Sequence, residues 1–271
     1  DCSVMPTQSY DIPKCLLCGK RGVESAHATK SLDLSKAHPK RHIFFCKDCD
    51  FYWLWPQLTT EEKVNLYGNS YFEDAIRNYS YEAQTAECEL CFLETAMEIA
   101  KIIPKGGTIL DVGCADGRFL EICEKQGLRA TGVEFSESAA LAAKSRGLEV
   151  FVGDINHEGI AQRQFDAIHL SHVLEHLDTP IMVVEKLHAL LKEGGLLYIE
   201  VPRQFDSWLE RLNAARGRFH EFGPFSLHHS CFFSPRSLSK LLANQGFRVE
   251  SLTTARTCKR AKRKGWNSLL A

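Results

Sequence analysis

Four cysteines stand in two pairs, Cys15-Leu16-Leu17-Cys18 and Cys46-Lys47-Asp48-Cys49, with 27 residues between the pairs. Two residues between thiols let a turn present both sulfurs to one cation, and two such turns complete a tetrahedral four-cysteine zinc site. With all four positions filled by the protein no coordination site stays open, so this zinc would be structural. Binding worth on the order of 10 kcal/mol would fasten a segment too small to fold alone. A redox dithiol or unconnected cysteines are the alternatives. Cys88-Glu89-Leu90-Cys91 repeats the spacing, but inside a helical pattern and without a second pair. His27, His38 and His42 in the spacer read as solvated loop residues.

A second constellation is rich in glycine. Asp111-Val112-Gly113-Cys114-Ala115-Asp116-Gly117 closes a short apolar run and opens a helical one. Gly113 lets backbone approach a ligand closely, and Gly117 fits a tight entry into a helix whose first N–H groups face the site. Glu134, about twenty residues on, is placed to accept hydrogen bonds from two ribose hydroxyls. Asp154, in Gly153-Asp154-Ile155, can accept from an exocyclic amine beside an apolar side chain. The order Asp-x-Gly-x-x-x-Gly differs from the dinucleotide fingerprint Gly-x-Gly-x-x-Gly. Asp111 would also repel a pyrophosphate, whereas it suits a ligand that carries an ammonium. The plainer alternative is three acids that cap helices.

The elements that must position these groups follow from the pattern. Thr108–Val112, Ala130–Glu134, Leu148–Val152, Phe165–Ser171 and Leu196–Val201 read as apolar strands. Helices are predicted over 118–126, 136–145 and 179–191, ending near Gly127, Gly147 and Gly194. A sixth strand is expected over Phe247–Leu252. Such alternation implies a doubly wound α/β domain with a mostly parallel sheet. Three zones result: a zinc-binding segment at 1–58, a helical connector at 59–103 and the α/β domain at 104–271. Thr59-Thr60-Glu61-Glu62 offers the connector a cap. Tyr71, Phe72, Tyr79 and Tyr81 in it form a lid or pack the connector.

The chain has 271 residues, 33 Lys and Arg against 34 Asp and Glu, and a formal charge of -1. That balance gives no overall field for a polyanion and argues against nucleic acid as the main partner. No apolar run reaches the roughly 18 residues of a membrane span. Eleven cysteines, an odd number with several inside helices and strands, point to metal in a reducing compartment, the cytoplasm, rather than to a disulfide framework. The first residue is Asp1, which fits a trimmed start. The basic run Lys259–Lys264 reads as a solvated end or as a phosphate contact.

ILDVGCADGRFL at 109–120, TGVEFS at 131–136, GDI at 153–155 and FDAIHLSHVLEHLDTP at 165–180 resemble the successive motifs of class I S-adenosylmethionine-dependent methyltransferases. The resemblance covers about residues 86 to 253 and implies a Rossmann-like sheet and S-adenosylmethionine as methyl donor. It implies that Asp111, Gly113 and the loop residues Cys114, Asp116 and Gly117 hold the methionine moiety, with Cys114 lending only its backbone. Glu134 would bind the ribose and Phe135 lie beside the adenine. Asp154 and Ile155 would take the adenine edge, and Ser171 and His172 would line the floor near the sulfonium. The same frame sets aside His172-Val-Leu-Glu175-His176 as an inverted zinc motif, because the segment caps the fourth strand.

With its cysteine pairs and PQLTTEEKVNLYGNSYF at 56–72, the chain is similar to bacterial zinc-ribbon methyltransferases acting on nucleotide-linked sugars and other glycan or small-molecule precursors. In that group a histidine just before an FSP-x-SL helix start faces the acceptor. His228 and His229 match that place, and an imidazole titrating near pH 6.5 can take a proton at neutral pH. The plainer reading has the pair packing the helix entry. Two other functions stay open: an RNA methyltransferase that grips nucleic acid with the zinc segment and basic tail, and a non-catalytic cofactor-binding module.

Overall fold

The computed structural model describes residues 13–24, 42–59, 61–63, 81–202, 229–256 and 269–270. Three short strands open the described chain: β1 (Val23–Glu24), β2 (His42–Cys46) and β3 (Phe51–Trp55). At the start of the connector, Thr59 Oγ1 accepts from Glu62 N–H and the Glu62 carboxylate accepts from Thr59 N–H. The sequence offers a cap here, and the structure makes it reciprocal. The helix α1 (Tyr81–Ile102) then leads into alternating strands and helices.

These are β4 (Thr108–Val112), α2 (Arg118–Lys125), β5 (Arg129–Glu134), α3 (Glu137–Ser145), β6 (Val150–Val152), the one-turn α4 (Glu158–Ala161), β7 (Phe165–Ser171), α5 (Pro180–Leu190) and β8 (Leu191–Glu200). After residue 228 come β9 (Cys231–Phe233), α6 (Pro235–Asn244) and the isolated pair β10 (Ala255–Arg256) and β11 (Leu269–Leu270).

Five strands run parallel in the order β6-β5-β4-β7-β8, with β4 at the switch in direction of winding. One face is filled by Ala96 and Ile99 of α1, Phe119, Leu120 and Cys123 of α2, and Ala140 and Ala143 of α3. The other packs Ile160, Leu187 and Leu190 against Leu110, Ile168 and Leu170. Central strands buried on both faces must be apolar throughout, which is how Ile109, Leu110 and Ile168 read. This is a Rossmann-like doubly wound sheet, as the alternation predicts.

Two boundaries differ from expectation. The helix over 179–191 stops at Leu190, and Leu191 already pairs with Phe165. The ladder then slips and resumes at Leu196 opposite Ala167, because the chain turns at Gly194, whose φ of 71° suits glycine. The strand expected at Phe247–Leu252 does not form. Phe247 instead tucks edge-on against His188, 5.1 Å between ring centroids, and residues 248–254 lie exposed. Among the described residues no helix is long and apolar enough to cross a membrane.

A second, antiparallel sheet has the order β1-β2-β3-β9. The partner of β3 thus comes from the far end of the chain, with Phe51 opposite Phe233 and Trp53 opposite Cys231. Phe51, Trp53 and Phe233 are fully buried with Leu174, Val184, Val201 and Leu238. Burying a phenylalanine of this kind contributes roughly 2–3 kcal/mol. The aromatic run near the first zone's end therefore shares one core with α5 and α6.

Candidate functional site

Side chains of the parallel sheet that could meet a ligand gather at the carboxyl ends of its strands, where open α/β sheets bind ligands. The turn after β4 is shaped by three left-handed residues, Gly113 (φ 75°), Ala115 (φ 47°) and Gly117 (φ 79°). A Cβ on Gly113 would lie 2.5 Å from Val173 Cγ2, and one on Gly117 would lie 2.5 Å from Leu148 Cδ1. Close approach, as well as backbone angle, therefore demands glycine at both. Gly117 caps α2 without a side chain, so the first N–H groups of that helix keep no side-chain acceptor.

Glu134 ends β5 and locks the turn to it. Its Oε2 accepts from Ala115 N–H at 2.9 Å and its Oε1 from Ser136 N–H at 2.8 Å. Burial pushes its pKa above the ordinary glutamate value, against the pull of those N–H groups. Each carboxylate oxygen has two lone pairs, so acceptor capacity remains for two hydroxyls. Phe135 beside it is 46% exposed, a large ring turned to solvent. After β6, Asp154 Oδ1 accepts from Asn156 N–H at 2.8 Å while Ile155 is buried. The acids therefore do shape their own turns, and the ends of β4, β5 and β6 bring them to one edge.

Asp111 is buried, and its Oδ1 lies 2.7 Å from Nδ1 of His169, its register partner on β7. His169 stacks on Phe119 at 3.9 Å between centroids, and its Nε2 is buried without a hydrogen-bond partner. His169 carries no motif that marks it in the sequence. An imidazole in the middle of an otherwise apolar strand was the available signal. Asp116 turns to Arg118 (2.9 Å) and pairs more loosely with Arg146. Burial, with the Asp111 and Glu134 charges close by, pushes the Cys114 thiol far up, so it stays protonated and unreactive. At the end of β7, Ser171 Oγ donates to Glu200 Oε2 at 2.8 Å, and His172 has φ 55° with its N–H bonded to Glu200 O.

Beyond β7 a single 3-10 turn, Leu174–His176, places Glu175 beneath the start of β9. Glu175 is 1% exposed, and neither carboxylate oxygen has a hydrogen-bond partner of good geometry. Three imidazoles face it: His172 Nδ1 at 3.4 Å, His176 Nε2 at 3.9 Å and His229 Nε2 at 3.9 Å. Burial alone would raise the Glu175 pKa, but the three histidines hold it below the ordinary value. Against its own cost of burial, Glu175 and then Glu200 raise that of His172. Of the sequence-predicted pair, His229 thus joins this cluster, whereas His228 lies outside the described residues.

The four paired cysteines converge. Sγ atoms of Cys15, Cys18, Cys46 and Cys49 all lie within 4.8 Å of one another, with 3.7 Å between Cys18 and Cys46. None is in a disulfide. Leu17 N–H donates to Cys15 Sγ and Lys240 Nζ to Cys49 Sγ, both at 3.4 Å, contacts that favour thiolate. Burial pushes the Cys15 thiol up strongly and that of Cys49 up to about 11. Thiolates this close repel unless a cation sits among them, so the donor set is compatible with zinc.

Comparison with known proteins agrees with this fold. A family model described as a methyltransferase domain matches residues 55–252. A ubiquinone biosynthesis O-methyltransferase of Coxiella burnetii is 30% identical over 162 residues, 56% of this chain and 68% of that protein. One of Histophilus somni is 35% identical over 112 residues, 37% of this chain and 47% of that protein. The chain thus spans from about half to two thirds of the length of these relatives. A SAM-dependent methyltransferase from Archaeoglobus fulgidus has the same fold, with TM-score 0.51 and 21% identity over 65% of this chain and 77% of that one.

Proposed function

The chain belongs to the methyltransferase domain family, and on that premise we propose that it methylates a small-molecule acceptor, a nucleotide-linked sugar or glycan precursor, in the cytoplasm. S-adenosylmethionine supplies, when bound, a methyl group on a sulfonium. Asp111, the turn at Gly113, Cys114, Asp116 and Gly117, and the floor at Ser171 and His172 would hold its methionine end. Glu134 would take the ribose hydroxyls, Phe135 would lie on the adenine, and Asp154 with Ile155 would read the adenine edge.

The observation that carries this reading is Glu134: a half-buried carboxylate fixed by two backbone N–H groups, with acceptor capacity left over at the sheet's carboxyl edge. Methyl transfer needs in-line positioning of the acceptor and, where the nucleophile carries a proton, a base. An imidazole of the pair His228 and His229 would serve as that base. Zinc in the four-cysteine cluster would be structural, and the segment 1–58, the connector 59–103 and the domain 104–271 would divide the work of bracing, covering and catalysing. The relatives named for ubiquinone biosynthesis support transfer to an oxygen atom.

The near-neutral charge favours a small acceptor over RNA. The test is release of S-adenosylhomocysteine by the purified chain given S-adenosylmethionine and, separately, nucleotide-linked deoxysugars, simple phenols or bulk RNA. Turnover with a sugar nucleotide is expected. Turnover confined to phenols would move the acceptor class, and turnover confined to RNA would overturn the small-molecule reading.

A further inference from the structure

One polar pair lies inside the parallel sheet, and the roles given above leave half of it unused. Asp111 and His169 are both buried and are register partners on β4 and β7. That register, rather than a loop, brings Asp111 Oδ1 to 2.7 Å from His169 Nδ1. Packing sets the ring as well: it stacks on Phe119 of α2 at 3.9 Å between centroids and meets the Tyr198 ring of β8 at 5.7 Å.

A carboxylate excluded from water is costly unless positive charge faces it. Among the described residues no lysine or arginine pairs with Asp111. Asp111 and Glu134 act on each other as like charges. Burial, with the Asp111 charge, pushes the thiols of Cys114 and Cys123 far up and keeps them uncharged. His169 meets part of the need. An imidazole nitrogen bonded to a carboxylate must carry the proton, so Nδ1 donates. Nε2 is buried without a hydrogen-bond partner, so a second proton there would find no acceptor among the described residues. A lysine in this place would cancel the charge on Asp111 and occupy the space beside it. The uncharged imidazole supplies a hydrogen bond and leaves the charge, with the remaining lone pairs, to a cation that arrives from outside.

We propose that His169 is a positioning residue for cofactor binding: through Nδ1–H it holds the Asp111 carboxylate in one orientation and leaves it charged for the ammonium of the methionine end. The proposal rests on the reading of Asp111 as the acid that meets that ammonium. It assigns His169 to recognition of the amino-acid end of the ligand, not of the nucleoside end, which falls to Glu134, Asp154 and their neighbours. Without the Nδ1 donor, Asp111 stays buried but loses the bond that aims it.

The test compares two variants of one shape on two ligands. His169→Asn keeps an amide N–H donor in the place of Nδ1, whereas His169→Leu leaves a similar space without a donor. Calorimetry on the full chain would measure S-adenosylhomocysteine, which carries the ammonium, and 5′-methylthioadenosine, which lacks the amino-acid end. His169→Leu should bind S-adenosylhomocysteine about tenfold more weakly than His169→Asn, while 5′-methylthioadenosine stays within about threefold across wild type and both variants. Equal affinity of the two variants for S-adenosylhomocysteine would overturn the proposal, as would a parallel loss of both ligands. Should His169→Leu fail to fold, long-range proton–nitrogen NMR on the wild type decides, with the His169 signals assigned by their loss in His169→Asn. A neutral ring protonated on Nδ1 supports the assignment, and one protonated on Nε2 refutes it. Wild-type affinity for S-adenosylhomocysteine in Asp111→Asn would instead sink the reading of Asp111, and absence of binding in the wild type would sink the cofactor itself.

Discussion

Replacing Glu134 by glutamine changes one charge and almost no volume, so its effect can be worked out from the contacts. The carboxylate accepts from Ala115 N–H at 2.9 Å and from Ser136 N–H at 2.8 Å, one on each oxygen. Glutamine keeps one oxygen and turns an NH2 toward the other N–H, so one backbone donor loses its acceptor at about 1–3 kcal/mol. Two hydroxyls of a bound ribose would lose the charge on their acceptor, each bond being worth about 1.5–3 kcal/mol with the charge and about 1 without it. The unpaired backbone donor costs folding stability, whereas the two hydroxyls together lose about 1–4 kcal/mol in binding, on the order of 10- to 100-fold or more in Kd. The assay is calorimetric titration of S-adenosylhomocysteine into wild type and Glu134→Gln, with urea unfolding of both to separate the loss of stability from the loss of affinity. Burial raises the Glu134 pKa, so wild-type affinity should begin to weaken, as pH falls, above the usual glutamate range. A folded Glu134→Gln that binds within threefold of wild type would refute the ribose assignment.

Three further outcomes are expected. Asp166 accepts from Thr108 N–H, Thr108 Oγ1 and Lys192 Nζ at 2.8–2.9 Å, and against the cost of burial these hold its pKa at about 2, below the ordinary 3.8. A depressed folded-state pKa stabilises above the unfolded value, so Asp166→Asn should cost about 2 kcal/mol at pH 7 in urea unfolding, with the difference closing as pH falls from about 4 to 2. Gly117→Ala forces a left-handed alanine into Leu148 and Ala143 and should destabilise by about 2–4 kcal/mol; a loss below about 1 kcal/mol would mean that the turn yields. Cys49→Ser should abolish metal in the purified protein by elemental analysis and lower Tm by several degrees; full metal content in that variant would show that the four sulfurs are not the ligands.

The parallel sheet was legible because its strands are buried on both faces: runs such as Thr108–Val112 and Phe165–Ser171 must then be apolar, and their ends fall where expected. The glycines at 113 and 117 were legible for a related reason, since left-handed turns with no room for a Cβ leave few alternatives. Register is a different matter. That Asp111 would face His169 follows from which residues of β4 and β7 are paired, and no single strand encodes it. The Glu175 cluster depends on a 3-10 turn meeting a chain more than fifty residues later, so HVLEH could be read only as a spacing. The expected sixth strand is absent: Phe247 packs edge-on against His188 and residues 248–254 lie exposed, a tertiary arrangement that hydropathy alone does not express.

The pairing of β3 with β9 has a consequence for how the molecule is made. Ser234 Oγ, just past β9, donates to Asp50 O, just before β3, across 184 residues of sequence. A ribosome delivers the cysteine turns and β3 long before their partner strand exists. Until then the outer edge of β3 offers unpaired N–H and C=O groups next to Phe51 and Trp53, a sticky surface for any other chain. A cation captured early by the four thiols would keep β2 and β3 folded on each other during that wait. The knuckle would then act as a built-in chaperone for its own edge, relieved of duty when Cys231–Phe233 arrives to close the sheet.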